Sequence, residues 1–360
     1  MVRKATGSFR DIIIHPGETL KEALEDRGIT QKQLAKSVGM TEQHISRVIQ
    51  GRNNISGAFA RKLEYALGIP ASFWMNLQRN YDLDLAEYED RMSIKAEEYD
   101  VFKGISDIIE EILSTKGERL DGDRALGVMQ ARRELRVASL LNIPSIMEQV
   151  LYRKSKGTDV DEIVTFAWQR LCECYLDGVP LPDAYDERMF EMSVEEIKLF
   201  MFDADFNDTI RRLREFFLSF GIRFVVVKHY RGAPVHGMAR KNMNGTVDLC
   251  LTIRGSRADI FWFSLFHEVA HILHGDFANN GVFHDEDVEK KADDKAADLL
   301  ISAKSYSDFV TRGDFSWESI SALADRNGVP EYIVIGRLQN DGHLPWQHHY
   351  SSRIPRYKWL

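Results

Sequence analysis

Two histidines four residues apart, with a glutamate beside the first, are the part of this 360-residue chain whose chemistry is easiest to name: His267-Glu268-Val269-Ala270-His271. Residues 261–275 read as one amphipathic helix, which sets both imidazoles on one face, a turn apart, where they hold Zn2+ at about 2.0–2.1 Å. Glu268 stands where a general base is needed. A zinc ion with three protein ligands and one open position brings a water's pKa to about 7, and a neighbouring carboxylate takes its proton as it attacks a carbonyl. The chemistry implied is peptide-bond hydrolysis.

So short a pattern occurs by chance, and a third ligand has to decide. A metzincin needs glycine three and histidine six residues past the second histidine. His274 and Phe277 stand at those places, which excludes that class. The next candidate is a carboxylate on a second helix over residues 287–301, where Glu289 and Asp293 share a face. Glu289 is expected on the metal, and Asp293 hydrogen-bonded to a ligand imidazole such as His267, fixing its tautomer. Glu286 is the alternative ligand. A competing reading makes residues 289–298 a solvated charged face and the histidines incidental, but motif and context agree on the metal. His274, one turn below His271, is expected to pack or to bond backbone.

With those residues in view, the zinc helix, Glu289-x-x-Ala292-Asp293 and the run Ala296-Ala297-Asp298-Leu299-Leu300-Ile301 resemble the ImmA/IrrE family of metallopeptidases. Members of that family cleave helix-turn-helix repressors. The resemblance implies His267, His271 and Glu289 as ligands and Glu268 as the catalytic glutamate. The chain departs from the family at Lys295, where an aromatic is usual, and at Ser302, where proline is usual. Both positions bear on packing and substrate fit and leave the ligands alone.

The elements that must position this site belong to a chain that is 44% apolar and 28% charged, the composition of a globular protein of two or three domains. No apolar run of about 18 residues occurs and the first residues lack an apolar signal core, so membrane insertion and secretion are not supported and the cytoplasm is the expected location. Cys172, Cys174 and Cys250 are the only cysteines, an odd number that suits a reducing compartment. Cys172-x-Cys174 lies in an apolar helical pattern and reads as two small buried side chains. Residues 1–80 carry 12 Lys/Arg against 7 Asp/Glu, a net +5 in a chain of net −8. That surplus is weak evidence of a polyanion partner until a motif supports it.

The motif lies between residues 18 and 78. Pro16-Gly17 opens a helix with Leu20, Ala23 and Leu24 inward, and Thr30 caps a second with Leu34, Ala35 and Val38 inward. After Gly39, Thr41 caps a third helix that Gly51 stops, and one glycine-containing turn between the second and third helices is helix-turn-helix spacing. The third helix is expected in the major groove. Its outward residues are Glu42, Gln43, His44, Ser46 and Arg47, and Gln43 and Arg47 have the side chains that read adenine and guanine edges. Gln31, Arg52 and Asn53 are expected at phosphates, with Thr41 beside them at the helix start. Glu42 departs from this pattern, since a carboxylate there repels phosphate unless it accepts from a cytosine amine. A protein-interaction module on the same fold is the competing reading.

His15-Pro16-Gly17-Glu18, Gly51-Arg52-Asn53-Asn54-Ile55 and the stretch from Ala66 to Leu77 resemble HigA-type antitoxins of the XRE family, over about residues 9–85. Those bind their own operators as dimers. Residues 81–100 turn acidic and read as a helical connector. Further helices follow to residue 220, with a stripe of Ile105, Ile108, Ile109, Ile112 and Leu113. Leu141-Asn142-Ile143-Pro144, Arg153-Lys154-Ser155 and the Trp168 helix resemble the middle of long fused proteins that carry both families' domains; no chemistry is assigned to them. Residues 222–229 and 247–253 read as strands, with an edge between 235 and 240. Such a sheet beside the zinc helix suits a substrate peptide laid on as an extra strand. Two helices past the zinc site, over 320–326 and 334–339, form a cap that also resembles the fused proteins.

The expected architecture is mainly α with a small β-sheet: a lambda-repressor-like helix-turn-helix head over 9–80, a helical middle over 81–205, an α+β zincin-like domain over 206–345 and a tail over 346–360. The expected function is a DNA-binding regulator or antitoxin fused to a zinc endopeptidase. Operator DNA, a second copy of the chain and a repressor or antitoxin substrate, its own chain included, are the expected partners. A cognate toxin is a further candidate. The alternative is a non-catalytic regulator whose zinc domain is sensory or structural. A general housekeeping protease is disfavoured because a DNA-binding head has no purpose in one.

Overall fold

The computed structural model describes residues 13–151, 161–203, 205–233, 237–253, 256–277 and 286–357. The chain divides after Ala96 into two compact units. Among the described residues, no helix is long and apolar enough to cross a membrane.

Among the described residues, the first unit is five helices, α1 (Pro16–Asp26), α2 (Gln31–Val38), α3 (Glu42–Ile49), α4 (Gly57–Leu67) and α5 (Ala71–Ser93). Side-chain caps set their starts: the Thr30 and Gln33 capping box for α2, Thr41 accepting from His44 N for α3, and Ser56 accepting from Phe59 N for α4. Leu20, Leu34, Ile45, Val48, Phe59, Leu63 and Trp74 are essentially fully buried in one core, each worth about 1.5–3 kcal/mol of transfer free energy. Gly17 is there for space. A Cβ at that position would stand 1.9 Å from Val48 O, so the start of α1 lies directly on the end of α3. Gln78 closes the far side, its Oε1 accepting from Ile55 N at 2.8 Å while its Nε2 donates to Asp82 at 2.8 Å.

The second unit opens with α6 (Ala96–Thr115), α7 (Arg124–Leu135), α8 (Ile143–Leu151), α9 (Glu162–Asp177) and α10 (Glu187–Ser193), then a 3-10 stretch at Val194–Phe202 and α11 (Phe206–Leu218). Three strands follow, β1 (Ile222–Val227), β2 (Gly237–Lys241) and β3 (Val247–Thr252), and then α12 (Ala258–His274), α13 (Glu286–Leu300), α14 (Ala303–Arg312), α15 (Trp317–Asn327) and α16 (Glu331–Asn340). The sheet order is β1-β3-β2, with β1 parallel and β2 antiparallel to β3. One face of the sheet, Phe224, Val226, Leu249, Leu251 and Ala239, joins the core with α11 and α12. The opposite face carries Asp248, fully buried, which accepts from Arg223 Nε at 2.8 Å and Arg240 NH2 at 3.1 Å; Arg240 also donates to Glu173 of α9 at 2.9 Å. Helices thus cover both faces, as a parallel pair requires.

Helices α6 and α7 are joined by a buried fork in which Arg132 Nε and NH2 donate to Glu98 at 2.9 and 2.7 Å, while Ser139 Oγ and Leu140 N donate to the same carboxylate at 3.0 and 2.8 Å. The helices expected as a separate middle and the zinc-motif segment share this one unit. The residues expected as a tail also pack into it. Ile354 lies in the core, Tyr357 stacks on Phe206 at 3.9 Å, and Tyr357 OH accepts from Trp262 Nε1 at 2.8 Å. Of the expected edge strand, the described part starts at Gly237; Val235 and the Arg153-Lys154-Ser155 stretch lie outside the described residues.

Candidate metal centre and nucleic-acid interface

Helix α12 is apolar nearly all round, with Phe261, Trp262, Leu265, Phe266, Val269 and Ile272 buried, so it runs through the core of its unit instead of along the surface. Gly275, left-handed at φ 71°, ends it. Helix α13 lies along α12 through Ala292 and Ala296, both fully buried one turn apart, and side chains that small let the two backbones approach closely. That approach carries Glu289 and Asp293 to the histidines.

His271 Nε2 stands 3.0 Å from His267 Nε2. Glu289 Oε2 is 3.1 Å from His267 Nε2, and its Oε1 is 3.8 Å from His271 Nε2. Donor atoms of the three residues all lie within 4.8 Å of one another. Ligands at about 2.0–2.1 Å from a tetrahedral zinc are about 3.3 Å apart, so this donor set has the spacing and the chemistry of a zinc site. Asp293 Oδ1 lies 2.8 Å from His267 Nδ1, which puts the ring proton on Nδ1 and leaves Nε2 to face the other donors. Burial disfavours charge on His267, but Asp293 and Glu289 outweigh it and hold the imidazole's pKa up at about 10. The negative charge gathered here is what a divalent cation neutralises.

Glu268 is buried on the side of α12 that meets the sheet. Burial, with the Glu289 charge adding and His267 opposing, pushes its carboxyl up to about 8. Glu286, the alternative ligand, is exposed at the start of α13 and outside the donor group. His274 faces Asp276 at 3.8 Å, apart from the cluster.

On the first unit, α3 presents Gln43 and Arg47 to solvent, with Arg52 exposed just beyond. Arg47 O accepts from Arg52 N at 2.8 Å and Asn53 N at 3.2 Å, closing the turn that holds Arg52 beside the helix. The Thr41 hydroxyl is engaged as the α3 cap, and Ser46 Oγ accepts from Gln50 Nε2 at 3.1 Å. His44 is half-buried, edge-on to Phe59 at 5.3 Å and 3.5 Å from Asn53 Nδ2, so these two side chains brace the head. Gln31 is half-buried at the first turn of α2. Sequence reasoning missed the contact of Gly237 with Glu268 and the ion network around Asp248. A charged residue between Val247 and Leu249 was the available signal for the second.

The Helix-turn-helix family matches residues 20–74. Virulence-associated protein I of Dichelobacter nodosus is 35% identical over 82 residues, 22% of this chain and 75% of that protein. Antitoxin HigA-1 of Vibrio cholerae is 43% identical over 68 residues, 19% of this chain and 64% of that protein, a little under two thirds of its length. Among solved structures, the Pseudomonas aeruginosa antitoxin HigA with higBA promoter is 30% identical over 23% of this chain and 96% of that one, with a TM-score of 0.21. The first unit is a helix-turn-helix DNA-binding module. By these matches the chain belongs to the helix-turn-helix family through its N-terminal region, which is HigA-like.

Proposed function

We propose that this chain is an operator-binding regulator of the HigA-like antitoxin or repressor kind whose second unit is a zinc-dependent endopeptidase acting on a repressor or antitoxin, its own chain included. The observation that carries the enzymatic half is the convergence of His267, His271 and Glu289 on one point, with Asp293 orienting His267 and Glu268 buried beside them. Zinc held there supplies Lewis acidity toward a peptide carbonyl and acidifies water. Glu268 takes the proton of the attacking water and returns it to the departing amide nitrogen. Strand β2 ends the sheet order, and its outer edge suits an extended substrate segment held by main-chain hydrogen bonds. On the regulatory half, the exposed Gln43 and Arg47 read base edges in a dimer on an inverted repeat, Arg52 binds phosphate, and the antitoxin relative makes a toxin a candidate partner.

The test is metal analysis of the purified chain beside a cleavage assay with candidate repressors. About one zinc per chain, cleavage stopped by a chelator, and a Glu268→Gln protein that keeps zinc but cuts nothing are expected. A fully zinc-loaded wild-type chain that cuts no helix-turn-helix repressor, itself included, leaves the metal a structural role and overturns the peptidase.

A further inference from the structure

We propose that Gly237 is a positioning residue for the Glu268 carboxylate, a role that rests on the peptidase reading above. A Cβ built at Gly237 would lie 2.6 Å from Glu268 Cγ, 2.7 Å from Glu268 Oε1 and 2.7 Å from Leu251 Cδ2, below the 3.0 Å that real Cβ contacts keep. The stem and one oxygen of Glu268 therefore rest directly on the backbone of the first residue of β2. Gly237 is not among the glycines with positive φ, so its lack of a side chain serves space and not backbone conformation. Gly275, at the end of the same helix as Glu268, is the opposite case: φ is 71° and nothing lies within 4 Å of its Cβ position.

Two neighbours meet the added methyl, and they differ in freedom. Leu251 is Gly237's partner in the β2–β3 register and is fully buried in the core. Glu268 has three rotatable side-chain bonds, so its carboxylate is the group that gives way. Alanine at 237 keeps the strand's N–H and C=O, so an extended peptide still pairs with β2 while the base moves from its place. The glycine thus joins the strand proposed to hold substrate to the base proposed to act on it.

The experiment compares full-length wild type, Gly237→Ala, Glu268→Ala and the double variant by thermal unfolding and zinc content, and wild type against Gly237→Ala in cleavage kinetics. Expected are full zinc in Gly237→Ala, a lowered Tm, and at least half of that loss relieved when Glu268 is also alanine. In kinetics, kcat should fall on the order of 10²-fold, the size of a general-base contribution, with KM unchanged. An equal Tm loss in both backgrounds assigns the clash to Leu251 and overturns the proposal, as do loss of zinc from Gly237→Ala and an unchanged kcat. Should Gly237→Ala fail to fold, a folded double variant supports the proposal and an unfolded one overturns it. A wild-type chain that cuts nothing sinks the peptidase alone, because the Tm comparison still reports whether Gly237 sets the place of Glu268.

Discussion

Asp293 has 56% of its side chain exposed, yet its single bond to His267 decides which imidazole nitrogen meets Glu289. Asp293→Asn should therefore keep one zinc per chain at saturation but bind it about 10- to 100-fold more weakly, read by competition with a chromophoric chelator. Unchanged affinity would show that packing alone orients the ring. His267→Ala and Glu289→Ala should lose the metal outright, and full occupancy in Glu289→Ala would hand the third position to another carboxylate. At the other site, Arg47→Ala should relax operator preference by about 1–3 kcal/mol, while Arg52→Ala should weaken binding to every sequence and flatten its salt dependence. An Arg47→Ala head with its preference intact would remove α3 from the groove. The histidine pair and Glu289 with Asp293 were legible in the sequence because helical periodicity is local: four positions make one face. The Gly237–Glu268 contact was not, because it depends on the register of β2 on β3 and on how α12 crosses the sheet.

Elements show the same division. The stripe Ile105, Ile108, Ile109, Ile112 announced α6, and the caps Thr30 and Thr41 announced α2 and α3. Where α9 would lie was not readable. It buries Val164, Ala167, Trp168, Leu171, Cys172 and Cys174 on more than one side, so no single face pointed to the sheet it covers. Glu98 is likewise silent in sequence, one acid among several in an acidic stretch, yet it ties α6 to α7 and to Leu140. Burial works against its charge, but Arg132, the Leu140 amide and Ser139 prevail and hold its pKa below the ordinary glutamate value. The stability it contributes is full above the ordinary glutamate pKa of 4.5 and is lost as pH falls through the depressed value. Glu98→Gln, which removes the Glu98 charge from beside the buried Arg132, should cost about 3–5 kcal/mol at pH 7. Denaturant unfolding should show that gap closing in acid; an equal gap at neutral and acid pH would mean the fork contributes only by shape.

For the molecule as a whole, the question is where a cut would separate function. The acidic stretch expected as a connector is helical: α5 continues to Ser93 and α6 begins at Ala96. Past Gln78, no α5 side chain is buried, so this part of the helix opens at low cost before it is drawn out as a strand. Active protein should release an N-terminal fragment of about the size of the head, and Glu268→Gln should not, while still binding DNA. Mass spectrometry of both proteins decides it, and a chain that stays whole while cutting a separate repressor acts only in trans. Should the chain bind DNA as the proposed dimer, a head freed this way would lose the avidity of its second copy. It does not lose its fold, because Trp74 and Gln78, which complete its core, both precede the exposed turns. Cleavage would then leave behind a persistent decoy. Severed heads, folded but monovalent, would hold half-sites only when in excess over intact regulators, so their effect would grow with the number that accumulate before the cell clears them.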